Sequence, residues 1–441
     1  MNELFLKRMH EMLGDKEYEE YLKTLDLPLY KGLRVNLLKD ETKLLEDTFK
    51  LTKSVYSGEG YYIDEDISGN HPYHLEGLFY MQEVSATSVV EISDIKEGEW
   101  VLDLCAAPGG KSSQIASKLN NTGFLVSNEI IPNRANILLS NMERMGASAN
   151  MITNTSPDII CSEMAGCFDK VVVDAPCSGE GMFKKHDQAT SEWSEEHVVS
   201  CANRQGIILD EAYKALKQDG ILIYSTCTYS MEENEMCIYE FLQRHPDMEL
   251  LDCNKEFGRS GYPYKDLDVS KVRRILPMDK GEGHFIAKMI KRDQTKRAKL
   301  KELSNNASDV AVKFLRDNLS ETLPYLYENN NKVYMKDSPF IKLKKTKILR
   351  QGIMCGEIVK NRFEPHHHLY LSAINNNRFK NSISLNNDEV ITYLSGNIIN
   401  RESPKGYVAL KCANHIIGFG KSDGRTIKNK YPKGLRCNTK F

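Results

Sequence analysis

Between residues 75 and 292 short apolar runs alternate with stretches whose apolar positions recur every three or four residues. The runs at 100–104, 124–128, 151–153, 170–173, 221–225 and 284–290 predict buried strands. Between them, Leu138, Met142 and Met145 keep one helical face, and Leu209, Ala212, Tyr213 and Leu216 keep another. Alternation of this kind predicts a mostly parallel sheet with helices on both faces. Upstream, 4–13 and 18–25 read as helices, 33–38 as a strand and 41–49 as a further helix. This small α+β unit lacks an ample core of its own and must pack on the domain after it. Downstream, the charged stretch 292–304 predicts a helical connector. Beyond it a mixed region leads to a strand-rich tail with turn signals at Ser395-Gly396-Asn397, Ser403-Pro404-Lys405-Gly406 and Ser422-Asp423-Gly424. The expected division is 1–74, 75–292, 293–350 and 351–441.

A chain of 441 residues is too long for one ordinary core, and 41% hydrophobic with 27% charged residues is the composition of a globular protein. The charged start lacks the apolar stretch of an export signal, and no run approaches the length of a membrane span. The 11 cysteines contain no C-x-x-C pair, so free thiols in a reducing cytoplasm are expected, with no disulfide scaffold and no metal site. The adjacent His366, His367 and His368 would face opposite sides of a strand, which argues against a shared metal. A net charge of −2 hides an asymmetry: ten cations follow residue 400, opposed only by Glu402 and Asp423. With the basic stretches 288–301 and 342–347, this tail is a candidate polyanion surface.

The segment from Val101 through Cys105, Ala106, Ala107, Pro108, Gly109, Gly110 and Lys111 to Ser112 reads as a strand, a tight glycine turn and a helix start. Small residues there let backbone approach a ligand, and the helix start offers free N–H groups. A Walker A loop would need a glycine where Cys105 stands, and no G-x-G-x-x-G occurs. The remaining reading is the first strand and turn of an S-adenosylmethionine-dependent methyltransferase. Glu129 ends the next strand about 20 residues on, the spacing at which a carboxylate meets ribose hydroxyls. Asn154, after the third strand, is a candidate for the adenine ring.

Two cysteines stand out. Cys177 lies in Asp174-Ala175-Pro176-Cys177-Ser178-Gly179 and Cys227 in Ser225-Thr226-Cys227-Thr228-Tyr229-Ser230, each just after a predicted strand. The carboxyl ends of neighbouring strands border one crevice, so the two thiols are candidates for one active site. A thiolate adds reversibly to an electron-poor ring carbon; from the residues alone either cysteine can be the one that adds. The other cysteines, apart from Cys105 in the glycine turn, are expected to be buried small hydrophobes. Lys184 and Lys185 are candidates for substrate phosphate or for a solvated pair, and His186-Asp187-Gln188 follows them.

These segments, Leu102 to Lys111, Asp174 to Gly181, and Ser225 to Thr228 followed by Glu232-Glu233-Asn234-Glu235, resemble the Sun-type (NSUN) RNA cytosine-5 methyltransferases. Tyr80-Met81-Gln82-Glu83 is similar to the family's segment upstream of the cofactor turn. The tail with Asn429-Lys430-Tyr431-Pro432-Lys433-Gly434-Leu435-Arg436 is similar to the bacterial RsmF/YebU-like 16S rRNA branch. The resemblance implies a Rossmann-like catalytic domain between a small α+β N-terminal domain and a PUA-like RNA-binding end. It implies S-adenosylmethionine as cofactor, held by 105–111, Glu129, Asn154 and Asp174, and RNA as partner, with small-subunit rRNA as the expected substrate and no membrane. It assigns addition to ring carbon 6 to Cys227, product release to Cys177, and the ring-nitrogen edge to Asp174. The alternatives are a tRNA cytosine-5 methyltransferase and a catalytically silent ribosome-assembly factor.

Overall fold

The computed structural model describes residues 2–185, 187–254 and 256–438. Its centre is a nine-stranded sheet. Phe124–Asn128, Trp100–Asp103, Phe168–Asp174 and Leu216–Thr226 lie side by side in that order, all parallel, with Asn150–Thr153 outside Phe124–Asn128. His284–Lys291 joins Leu216–Thr226 antiparallel, and Met248–Leu251 and Arg273–Ile275 pair with it in turn. The chain first winds outward from Trp100–Asp103 and then returns to its other side, so the strand order reverses between Trp100–Asp103 and Phe168–Asp174. A crevice opens at such a reversal, beyond the carboxyl ends of the strands.

The apolar runs are continuous because both faces of these strands are covered. Leu102, Val126, Val171, Val173, Leu222 and Tyr224 pack on one face with Leu209, Ala212 and Phe241. The alternate residues Val101, Leu125, Val172 and Ile223 pack on the other with Ile115, Leu119, Leu138 and Met142. This is the two-residue period of a strand sandwiched between helices. Each such fully buried aliphatic side chain contributes about 1.5–3 kcal/mol relative to exposure.

The N-terminal helix Glu3–Leu25 is broken at Gly14 (φ 70°, ψ 170°), so the two expected helices share one element. The strand expected at 33–38 is Gly32–Val35, and a 3-10 turn begins at Leu37 once Asn36 turns its side chain to the carbonyls of Gly77 and Met145. The antiparallel sheet here runs Leu51–Lys53, Gly60–Ile63, Gly32–Val35, Phe79–Met81, and so takes in a strand beyond 74.

The stretch 292–304 is not a helix. It runs extended beneath the catalytic sheet: Ala298 N donates to Ala165 O, the Arg297 guanidinium lies 5.4 Å from the Trp100 ring centre, and Lys301–Leu303 pairs with Phe340–Lys342. Contacts to the catalytic domain outweigh the helical propensity of its lysines. Ile348–Gln351 crosses back to pair with Asn150–Thr153, while one antiparallel sheet joins Tyr325–Asn329, Lys332–Lys336, Ile353–Val359 and Arg362–Pro365. The structure therefore sets no boundary at 350/351. The final sheet orders Ser382–Ser384, Gly406–Cys412, His415–Ser422, Thr426–Asn429 and Ile399–Asn400, against the helix Asn387–Leu394. The three histidines sit at a helix start, not on a strand: His366 Nδ1 accepts from His368 N, and His368 Nδ1 accepts from Met354 N. Burial lowers the pKa of His366 to about 4 and that of His367 to about 3, so both are neutral. Among the described residues no helix is long and apolar enough to cross a membrane, and no three His, Cys, Asp or Glu side chains cluster as metal ligands.

Candidate active site

Phe168–Asp174 and Leu216–Thr226 are hydrogen-bonded neighbours, with Asp174 opposite Ser225. This register puts Cys177 and Cys227 at adjacent strand ends, and their sulfurs lie 3.3 Å apart. Both are partly exposed, whereas Cys161, Cys167, Cys201, Cys237, Cys253, Cys355 and Cys412 are buried. Cys437 departs from expectation in being only partly buried, near the chain's described end. The two active-site sulfurs are not equivalent. The hydrogen bond with Cys227, and then burial, push the Cys177 thiol well above the usual range. Either sulfur can donate across this contact.

Asp174 ends its strand beside them. One carboxylate oxygen takes Lys111 Nζ at 2.7 Å and the other takes Ser225 Oγ at 2.7 Å. Burial opposes ionisation, but Lys111 and Ser225 outweigh it and hold the carboxyl below its ordinary range. Burial likewise opposes the charge on Lys111, and Asp174 restores it, raising the lysine. The site thus carries an anion, tied to Lys111 and Ser225, on the same cavity wall as the thiol pair. His284, at the start of its strand, bonds Ser85 Oγ at 3.0 Å through Nδ1 and is kept neutral, with a pKa of about 3, by burial and then Lys111.

A cavity of about 700 Å³ runs from these groups along the sheet's edge, lined among others by Cys105, Glu129, Asp174, Cys177, Arg204 and Cys227. Its cofactor turn is tied down from outside. Ala106 N donates to Asn128 O, Arg134 Nη2 to Ala107 O and Asn141 Nδ2 to Pro108 O, and the Ala107–Pro108 peptide is cis. Gly109 caps the helix Gly110–Leu119 with φ 114°, a conformation that excludes a side chain, and a Cβ there would meet Leu138 Cδ1 at 3.2 Å. Cys105 and Ala107 line the cavity, while Ala106, Pro108, Gly109 and Gly110 shape the turn behind it, and Lys111 faces Asp174. Burial pushes the Cys105 thiol up, so it packs as a neutral group. Glu129 reaches the cavity with one oxygen held by Ile131 N at 2.9 Å.

Asn154 is placed differently from the expectation. Its amide donates to the carbonyls of Glu129 and Ile130 at 2.8 and 2.9 Å, shaping that loop, and the cavity wall is supplied by Pro157 and Asp158 instead. Ser156-Pro157-Asp158, a cap followed by proline and an acid, was a visible helix start that could have pointed there. Lys184 Nζ donates to the carbonyls of Thr24 and Leu27, and Lys185, exposed, pairs with Glu282. His186 lies outside the described residues. Arg204, Ile130 and Ile207, exposed at the rim, were not anticipated.

Comparison with known proteins completes the picture. Residues 90–290 match the family described as 16S rRNA methyltransferase RsmB/F, and residues 1–84 the N-terminal domain of 16S rRNA methyltransferase RsmF. Residues 313–373 match its first C-terminal domain and 380–437 the methyltransferase RsmF PUA domain. Ribosomal RNA small subunit methyltransferase F of Vibrio cholerae serotype O1 (strain M66-2) is 30% identical over 98% of this chain and 97% of its own. The chain belongs to the RsmF family. The same-named protein of Shewanella piezotolerans is 29% identical over 95% of this chain and 93% of its own. Among solved structures, a methyltransferase homolog protein from Pyrococcus horikoshii superimposes with TM-score 0.58 and 29% identity over 66% of this chain and 95% of that one. NSun6 from Pyrococcus horikoshii with SFG shares the fold, at TM-score 0.59, 21% identity and coverage of 66% and 99%. The RsmF-type chain is thus an S-adenosylmethionine-dependent RNA methyltransferase with a PUA domain. The cavity fits that cofactor: it is large enough, has a carboxylate at Glu129 for hydroxyls, and carries further acidic groups suited to a sulfonium cation.

Proposed function

We propose that this enzyme methylates cytosine carbon 5 of 16S rRNA through a covalent adduct between the Cys227 sulfur and ring carbon 6. Family membership supports the substrate and the position on the ring. The observation that supports the mechanism is the 3.3 Å thiol pair sharing a cavity wall with the Asp174 carboxylate.

Carbon 5 of cytosine is a weak nucleophile, and sulfur bonded at carbon 6 makes it enamine-like. Cys177 S–H, donating to the Cys227 sulfur, favours the thiolate that attacks. Asp174 accepts a hydrogen bond from the exocyclic amino group and, once ring nitrogen 3 has taken up the proton given up by the Cys227 thiol on addition, from that N–H as well, steadying the ring as charge redistributes. Bound in the cavity by the 105–111 turn and Glu129, S-adenosylmethionine supplies the methyl group. When carbon 5 loses its proton, the Cys227 sulfur departs as a thiolate, and the Cys177 S–H that stabilised it before attack stabilises it again. The target base must leave its stack to present carbon 6 to the sulfur. Lys405, Lys421, Arg425, Lys428, Lys433 and Arg436 are exposed on the PUA domain and suit contacts to phosphate around the base. The free thiols fit action in the cytoplasm, where small subunits are assembled.

The test is methyl transfer from labelled cofactor to 16S rRNA, naked and within small subunits, followed by mapping of 5-methylcytosine. Cys227→Ala is expected to abolish transfer, and Cys177→Ala to accumulate a protein–RNA adduct that survives denaturing electrophoresis. Full activity in Cys227→Ala, or clean turnover in Cys177→Ala, overturns the mechanism.

A further inference from the structure

Behind the two cysteines lies an arrangement that the proposed chemistry does not use. Glu233, six residues after Cys227, reaches across to the residue following Cys177. Its carboxyl accepts Ser178 N at 3.0 Å and Ser178 Oγ at 2.5 Å, and also Ser230 Oγ at 3.0 Å and Gln205 Nε2 at 2.7 Å. Glu180, three residues after Cys177, does the converse. It accepts Thr228 Oγ1 at 2.9 Å and Tyr229 N at 3.0 Å, from the residues following Cys227, while Trp193 Nε1 holds its other oxygen at 2.9 Å. Ser178 Oγ and Thr228 Oγ1 lie 2.8 Å apart between the two carboxyls. Both carboxyls are buried, at 0% and 3% exposure, and neither lines the cavity. Gln205 links the device to the turn itself, donating also to Pro176 O at 3.0 Å.

We propose that Glu233 and Glu180 form a reciprocal clasp, each positioning the other cysteine's loop, and that this clasp sets the sulfur–sulfur distance on which release of the methylated product depends. The proposal rests on the roles assigned to Cys177 and Cys227 under the proposed function. Two turns at adjacent strand ends need such a tie to hold their sulfurs in contact, since among the described residues each sulfur has only the other as a side-chain hydrogen-bond partner. Burial raises the pKa of both glutamates, and the donors around Glu233 oppose that rise. Because the hydroxyls of Ser178 and Ser230 can turn to accept, an amide at position 233 can keep most of the clasp, whereas alanine cannot.

The experiment compares Glu233→Ala and Glu233→Gln in the full-length enzyme by two readouts. Thiol proximity is read as the rate at which diamide joins Cys177 to Cys227, followed as a mass loss of two hydrogens in the linked peptides. Glu233→Ala is expected to slow this joining and kcat together by about 10–100-fold, the cost of misplacing reacting groups by an ångström or so. KM for RNA and affinity for S-adenosylmethionine stay within about threefold of the unaltered enzyme, and Glu233→Gln recovers most of both rates. In a Cys177→Ala background, Glu233→Ala should leave the rate of adduct trapping unchanged, because the loop it positions no longer carries a thiol. Unchanged joining in Glu233→Ala, a parallel loss of cofactor affinity, or additive slowing of trapping in the double variant each overturns the clasp. The joining rate needs no catalysis, so it reports on the clasp even if Cys227→Ala proves active and the covalent reading itself fails.

Discussion

Arg274 offers a stringent test of how the active-site loops are supported. It lies on Arg273–Ile275, with its side chain 1% exposed, and forks onto Glu235 with Nε–Oε1 at 2.7 Å and Nη2–Oε2 at 2.5 Å. Its remaining nitrogen donates to Tyr229 O at 2.7 Å, two residues past Cys227. At an effective dielectric near 20, opposite charges about 4 Å apart attract by about 4 kcal/mol, and desolvation of both ions consumes much of it. The pair is therefore worth little beyond an apolar substitute of the same shape, but half of it is costly. Arg274→Met leaves the Glu235 carboxylate buried with Tyr262 N, at 2.9 Å, still donating to it, and leaves the Tyr229 carbonyl without the guanidinium. The expected loss is about 3–5 kcal/mol. At about 2–4 °C per kcal/mol for a domain of this size, the Tm falls by roughly 6–20 °C. Arg274→Met/Glu235→Gln removes the stranded charge and should regain at least about 1–2 kcal/mol over the single variant. Urea unfolding of the three proteins, with methyl transfer assayed well below the lowered Tm, gives the cycle. A single variant destabilised by less than about 1 kcal/mol, or a double no more stable than the single, refutes the reasoning.

Asp103 accepts Ser112 Oγ at 2.6 Å, and burial pushes its pKa up to about 7. A carboxyl whose folded pKa lies above its unfolded value gives stability at low pH that is lost as pH rises through the folded pKa. The unfolding free energy should therefore decline between about pH 4 and 7, by up to about 3–4 kcal/mol from this group, and Asp103→Asn should flatten that decline in denaturant titrations at successive pH values. Lys111→Met removes the cation that keeps Asp174 ionised, so the carboxyl climbs and methyl transfer gains an acidic limb closer to neutral pH; a pH–rate profile parallel to that of the unaltered enzyme would count against the pairing. Gly109→Val, forced into φ 114° and against Leu138, should weaken S-adenosylmethionine binding by about tenfold or more in calorimetry while the Cys177–Cys227 proximity persists.

How much of the molecule was legible beforehand depends on where each signal originates. The parallel sheet was legible because burial on both faces makes runs such as Val171-Val172-Val173 uniformly apolar, a property of the segment itself. The helix expected at 292–304 failed because its composition reports propensity, whereas its conformation is decided by Trp100 and Ala165, far away in the chain. Asn154 shows the same limit at the site: a polar residue after a strand can face a ligand or its own neighbouring loop, and only the positions of the Glu129 and Ile130 carbonyls decide which. The thiol pair lies between these cases. Two cysteines after two apolar runs imply adjacency only if the runs are neighbours in the sheet, and the register of Asp174 against Ser225 makes them so. Their difference in role could not be read from residues that are chemically identical. Their surroundings add only a direction, the hydrogen bond with Cys227, burial and the Glu233 carboxyl all raising the Cys177 thiol, while either sulfur can donate across the contact. The three-dimensional placement brings the two sulfurs together, and the assignment of attack to Cys227 stays with the family resemblance and the mechanism proposed from it.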